Sequence, residues 1–178
     1  MISAVIVTLN DAQRLTATLA ALAPAAIDGF VREVIVADGG SADETLEVAE
    51  DAGAGVVTTG FAAAITAARQ PWLLILAPGS RPEVGWERAA QAHMRDYPDK
   101  GGWFDLALPE PGAAARLGEV AAQWESAAFG RLRTAHGLLI CNRQVEKFAP
   151  IASHEDLIRR VGRARIRRIG ARALIDRG

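Results

Sequence analysis

Four apolar runs of strand length, each cut off by polar or glycine-containing residues and followed by a helical segment, limit what this chain can fold into. The runs are "ISAVIVT" at Ile2–Thr8, "REVIVAD" at Arg32–Asp38, "AGVVTT" at Ala54–Thr59 and "PWLLILA" at Pro71–Ala77. Their β-branched and aliphatic content suits buried strands. Between the first two, "DAQRLTATLAALAPAA" puts Leu15, Leu19 and Leu22 on one helical face, with Asn10 or Asp11 placed to cap it and Pro24 near its end. "SADETLEVAEDAG" follows the second run. Ser41 and Glu44 have the spacing of a capping box there, and Gly53 suits the position after a helix. "GFAAAITAARQ" supplies a third helix of small residues.

Strands alternating with helices predict an α/β fold, a mostly parallel central sheet with helices on both faces and right-handed crossovers. Ligands of such sheets bind beyond the carboxyl ends of the strands. Asn10, Asp38 and the segment after Leu76 are therefore expected along one edge. Downstream, "GWERAAQAHMRDYP" reads as a helix, "GGWFDLALP" as a strand and "AAARLGEVAAQWESAAFGRL" as a long amphipathic helix. "AHGLLICNRQVEKF" reads as a strand and a turn, "HEDLIRRVG" as a short helix and "RARIRRIGARALI" as a strand. No repeat or linker divides residues 1–178, so one domain is expected.

A net charge of −1 argues against a general nucleic-acid binder. The single cysteine, Cys141, rules out a disulfide within the chain and suits a reducing compartment. The start "MISAVIVTLND" lacks a basic region and a long apolar core, and no run reaches membrane-spanning length. A cytoplasmic location is the expectation. Acidic residues crowd the first sixty positions, whereas "IRRVGRARIRRIGARALIDRG" is rich in arginine. The arginines read as a solvated face, or as a contact for an anionic membrane or a phosphorylated acceptor.

Two common nucleotide motifs are absent. The only lysines, Lys100 and Lys147, do not follow a glycine-rich turn, so no P-loop exists. "GAGVVT" at Gly53 precedes a strand and lacks the last glycine of the dinucleotide fingerprint.

"VIVTLND" and "VIVADGGSADET", taken together, resemble the opening of family 2 glycosyltransferases, inverting enzymes of the GT-A fold. "PWLLILAPGSRPEVGW", "RLRTAHGLLICNRQ" and "HEDLIRRVGRARI" resemble later blocks of small bacterial members, in the same order. The resemblance implies a nucleotide-binding half at 1–86 and an acceptor-side half at 87–178. It implies a nucleotide-sugar donor, with Asp38 on the nucleobase and Thr8, Asn10 and Asp11 on the same nucleoside. Gly39 and Gly40 would let the backbone approach the ligand. It makes Asp156, with Glu155 beside it, the candidate general base.

The family places metal-binding carboxylates after the fourth strand. Here those positions hold Ala77 and Gly79, and no Asp or Glu occurs between Asp51 and Glu83. The expectation is a chain without a resident metal, in which Arg81 helps to offset the diphosphate charge. Thr134-Ala135-His136-Gly137 likewise departs from the family's "GDQG". Three readings remain open: a metal-independent transferase, an inactive relative that binds a nucleotide or a partner protein, and a structural subunit, alone or in an oligomer.

Overall fold

The computed structural model describes residues 1–107, 137–162 and 165–175. Its first half winds as expected: β1 Ile2–Thr8, α1 Ala12–Ile27, β2 Val31–Asp38, α2 Thr45–Asp51, β3 Gly55–Val57, α3 Phe61–Ala67 and β4 Trp72–Leu76. β5 Ser80–Pro82, α4 Trp86–Asp96 and β6 Gly101–Ala107 follow, then β7 Leu138–Cys141, α5 Asn142–Glu146, α6 His154–Val161 and β8 Ile166–Ile175. The eight described strands form one sheet in the order β3-β2-β1-β4-β7-β6-β8-β5. β3, β2, β1 and β4 are mutually parallel, whereas β7 runs antiparallel to β4 and β6, and β5 antiparallel to β8.

The pleat sorts the core into two layers. Ile2, Ala4 and Ile6 of β1, with Leu74 and Leu76 of β4, face Leu15 and Leu22 of α1, Ala49 of α2, and Trp86 and Ala90 of α4. Val5, Leu73 and Ile75 face Phe61 and Ile65 of α3, Val145 of α5, and Leu157 and Val161 of α6. Burying each such aliphatic side chain contributes roughly 1.5–3 kcal/mol. A strand covered on both faces must be apolar at nearly every position, which is why these runs barely alternate.

Several expectations need correction. α2 starts at Thr45, with Glu44 at its N-cap, so Ser41 and Glu44 form no capping box. Ser41 is drawn away because its hydroxyl bonds Asp38. Asp11 does occupy the N-cap position of α1, but its side chain makes no cap bond. Asp43 Oδ2 accepts from the Ala12 N–H instead, at 3.3 Å. Pro24 lies in the last turn of α1, near its end as expected. The turn expected after Cys141 is the short helix α5, and β5 was not foreseen. The amphipathic helix expected within 113–132, together with Thr134, Ala135 and His136, lies outside the described residues.

Candidate functional site

Thr8 and Asp38 are register partners at the ends of β1 and β2. Asp38 ends its strand at the ligand-facing edge and is nonetheless 1% exposed. The reason is a full set of donors. Oδ2 accepts from the Gly40 and Ser41 N–H groups, each at 2.8 Å, while Oδ1 accepts from Ser41 Oγ at 2.5 Å and Thr8 Oγ1 at 3.2 Å. A carboxylate has about four lone-pair sites, and all four are engaged. Burial alone would raise the Asp38 pKa. The bonds from Ser41, Gly40 and Thr8 outweigh it and hold the group below its ordinary value.

This carboxylate folds the chain back after β2. Gly40 takes φ +100°, and a side chain on Gly39 would lie 3.3 Å from Thr8 O. The glycine pair therefore answers a real backbone demand. The loop after β1 is then stitched to it. The Asn10 N–H donates to Ser41 Oγ at 2.8 Å, and Asn10 Oδ1 accepts from the Ala42 N–H at 2.7 Å. Asn10 itself sits at φ +52°, a conformation that asparagine tolerates. The Asp11 N–H donates to Thr45 Oγ1 at 2.9 Å. Beside these loops lies an open groove of about 880 Å³, lined in part by Asn10, Asp11, Arg14, Asp43 and Glu47.

The segment after β4 borders the same edge. Leu76 is level with Ile6 of β1, so strand spacing alone puts Ala77 about 10 Å from Asp38. Ala77-Pro78-Gly79-Ser80 closes a β-turn, with the Ser80 N–H donating to Ala77 O at 3.1 Å. Proline second and a glycine at φ +84° third is the type II arrangement. The turn is docked on α1: the buried Gly79 donates its N–H to Arg14 O at 3.0 Å and Thr18 Oγ1 at 2.9 Å. These residues do not fit a divalent cation. Ala77 has no side-chain donor atom and its carbonyl accepts from Ser80, while Gly79 has no side chain and turns its amide toward the helix. Among the described residues no group of three or more His, Cys, Asp or Glu is placed to hold a metal ion. Arg81 follows in β5, paired backbone to backbone with β8.

Asp156 is reached from the other side of the sheet. His154, at the start of α6, packs edge-on against Phe61, at the start of α3, with ring centroids 6.1 Å apart. α3 begins just beyond the carboxyl end of β3, so this contact brings the start of α6 to the same edge. Ser153 caps α6 by accepting from the Asp156 N–H, and Asp156 Oδ2 reaches back to the Ala152 N–H at 3.3 Å. Arg160 Nε then donates to Oδ2 at 2.9 Å and Arg159 Nη2 to Oδ1 at 3.1 Å. Arg160 above all, with the Ala152 N–H and Arg159, holds the Asp156 carboxyl below the usual range. Glu155 is exposed and accepts from Ser153 Oγ at 2.8 Å.

Sequence reasoning missed Ser41, Asp43 and Thr45 as the pins of the two loops, and Arg159 and Arg160 as partners of Asp156. The arginines had a signal, since they stand three and four residues after it on a helix. His154 was missed too. It is 2% exposed, both ring nitrogens lack a hydrogen-bond partner among the described residues, and burial pulls its pKa down to about 4.

Residues 3–76 match the family model described as glycosyl transferase family 2, a span that holds both stitched loops and ends at Leu76. Over that span, somewhat less than half of its length, the chain is similar to family 2 glycosyltransferases. Its fold extends the likeness further. The structure resembles crystal structures of glucosyl-3-phosphoglycerate synthase from Mycobacterium tuberculosis. One, in complex with Mn²⁺, uridine diphosphate and glucosyl-3-phosphoglycerate, gives a TM-score of 0.65 at 17% identity, covering 98% of this chain and 70% of that one. Another crystal structure of the same synthase gives 0.65 at 17% identity, over 100% and 72%. A further mycobacterial protein gives 0.62 at 19% identity, over 98% and 64%. At such identities the likeness speaks for the GT-A fold. No curated protein sequence matches the chain. No described helix of this glycosyltransferase fold is long and apolar enough to cross a membrane.

Proposed function

We propose that this chain binds a nucleoside diphosphate sugar at the carboxyl edge of β1, β2 and β4 and transfers the sugar to an acceptor hydroxyl. The observation that carries this reading is the pair of loops at 8–12 and 38–45, locked into one shape by bonds through Asp38, Ser41 and Asn10. Loops fixed before the ligand arrives lose little entropy on binding it, as a nucleotide platform requires. The family match over the same residues supports the reading, as does the likeness to a synthase crystallised with uridine diphosphate and its glucose conjugate.

In this reading Thr8, Asn10, Asp11 and the glycine pair present the nucleoside surface. Asp38 holds that surface in shape, and meets a base only by exchanging one of its present donors. Asp156 is the general base, with Glu155 exposed beside it. The family's cation has no ligands at Ala77 and Gly79. The leaving diphosphate is then stabilised by fixed positive groups, Arg81 among them, in the manner of preorganised electrostatic sites. The location that suits such chemistry is the cytoplasm, where nucleotide sugars are made.

Calorimetric titration of the chain with uridine and guanosine diphosphates, with Mn²⁺ or with chelator, tests the reading, followed by donor turnover. Binding and turnover that survive chelator are the expected result. Failure of both diphosphates to bind refutes it. Binding without turnover on any acceptor replaces it with the non-catalytic reading.

A further inference from the structure

Asp156 is an odd general base as it stands. A base must take a proton, and this one lies between two guanidinium groups that oppose protonation. The two arginines differ from ordinary surface charges in their placement. Both reach the same buried carboxylate, one on each oxygen, and yet their own side chains are 76% and 42% exposed. Their outer N–H groups therefore still face solvent beside the carboxylate. Arg160 is further steadied by donating Nη1 to Phe148 O at 3.2 Å. The other acid nearby, Glu155, is turned toward the Ser153 hydroxyl.

We infer that Arg159 and Arg160 form the docking site for an anionic group, a phosphate ester, on the acceptor, and that its arrival frees Asp156 to act as base. The inference rests on the transferase reading above and names its acceptor class. Guanidinium pairs suit phosphate because each offers parallel N–H donors to two oxygens. The exchange costs little, because ion pairs with exposed partners are weak. It also settles the charge balance of the step. The acceptor O–H gives its proton to the Asp156 carboxylate, and its oxygen forms the bond to the anomeric carbon. The bond from that carbon to the diphosphate oxygen breaks, and its electron pair leaves with the nucleoside diphosphate. Once Asp156 is neutral, both arginines have lost their counter-charge. A phosphate on the acceptor supplies it, whereas a neutral acceptor leaves two guanidinium groups unpaired.

The test uses inorganic phosphate as the probe on the full chain. Site-resolved NMR follows the guanidinium Nε of Arg159 and Arg160 and the carboxyl carbon of Asp156. Saturable shifts confined to these groups are expected, with a dissociation constant on the order of millimolar. Arg160→Gln is expected to weaken binding at least about fivefold, and Arg160→Lys to restore part of it, a loss near 1 kcal/mol by the usual conversion. Because Arg160 also holds Phe148 O, Arg159→Gln is the second variant; its exposed side chain donates to Asp156 Oδ1. Glycerol phosphate and vesicles of phosphatidylglycerol in phosphatidylcholine form two further arms. Shifts with either one support an anionic acceptor, soluble in the first case and lipid-borne in the second. Absence of shifts at about ten times a millimolar concentration overturns the inference. So does phosphate affinity that is equal to that of the wild type in both glutamine variants. The diphosphate titration is read separately: diphosphate binding without phosphate shifts defeats this inference alone, whereas phosphate shifts without diphosphate binding defeat the transferase reading and leave an anion site with no acceptor role.

Discussion

Acid should weaken this protein first through His154, before it reaches the carboxylates. The ring is 2% exposed, neither nitrogen has a hydrogen-bond partner among the described residues, and burial lowers its pKa from 6.5 to about 4. A histidine whose folded pKa lies below its unfolded value binds its proton more readily in the unfolded chain. Its stabilising effect is therefore complete above pH 6.5 and is lost as pH falls toward 4. Each pH unit inside that window costs up to about 1.4 kcal/mol. Between pH 7 and pH 5 the two-pKa expression gives a loss of about 1.8 kcal/mol from this residue. His93 adds to the slope in the same direction, since burial lowers its pKa too, against a bond to Lys100 O that raises it. The comparison that isolates His154 is His154→Phe, which keeps an aromatic ring against Phe61. Urea unfolding of both proteins at several pH values measures the difference. The wild type should lose about 1.8 kcal/mol more than the variant between pH 7 and pH 5. Parallel pH profiles would refute the reasoning, because the ring would then have to be solvated or paired in the folded state.

Three further outcomes follow from the site. Asp38→Ala removes the acceptor of four donors and should destabilise the fold by about 2–4 kcal/mol in urea unfolding; a change below about 0.5 kcal/mol would mean that the loop holds itself. Gly79→Asp forces a side chain onto a residue at φ +84° packed against α1, and should cost about 2–4 kcal/mol without creating Mn²⁺ affinity, as measured by unfolding and calorimetry. Asp156→Asn should leave diphosphate affinity within about twofold while lowering turnover by about 10²–10⁴, the usual range for a lost general base, and equal turnover would remove Asp156 from the mechanism.

The parallel half of the sheet was legible because its strands announce themselves. "ISAVIVT" and "PWLLILA" are apolar on both faces, and only a doubly covered strand stays stable with that pattern. The candidate site was legible as positions and not as bonds. Asp38 stood out at the tip of its run, but nothing in the spacing says that Thr8, thirty residues earlier, would donate to it. Ser41 looked like a cap because capping is a local rule, and it lost to a partner across the loop. β5 left no trace, since Ser-Arg-Pro has no strand pattern and is extended only because β8 pairs with it. His154 was passed over because an isolated histidine carries no periodic signal, and its burial comes from tertiary packing against Phe61.

The place of β8 in the sheet has a consequence for biosynthesis. Residues 166–175 leave the ribosome after every other described strand, yet β8 lies inside the sheet, between β6 and β5. Until it emerges, β6 shows an open edge able to pair with a foreign strand, and β5 has no described neighbour to lie against. The turn at 77–80 is then held by α1 alone. The two stitched loops are thus made early, from the first fifty residues, while β5 waits for β8 to pair with it. A nascent chain would have one end of its sheet built and pinned before the other end can close.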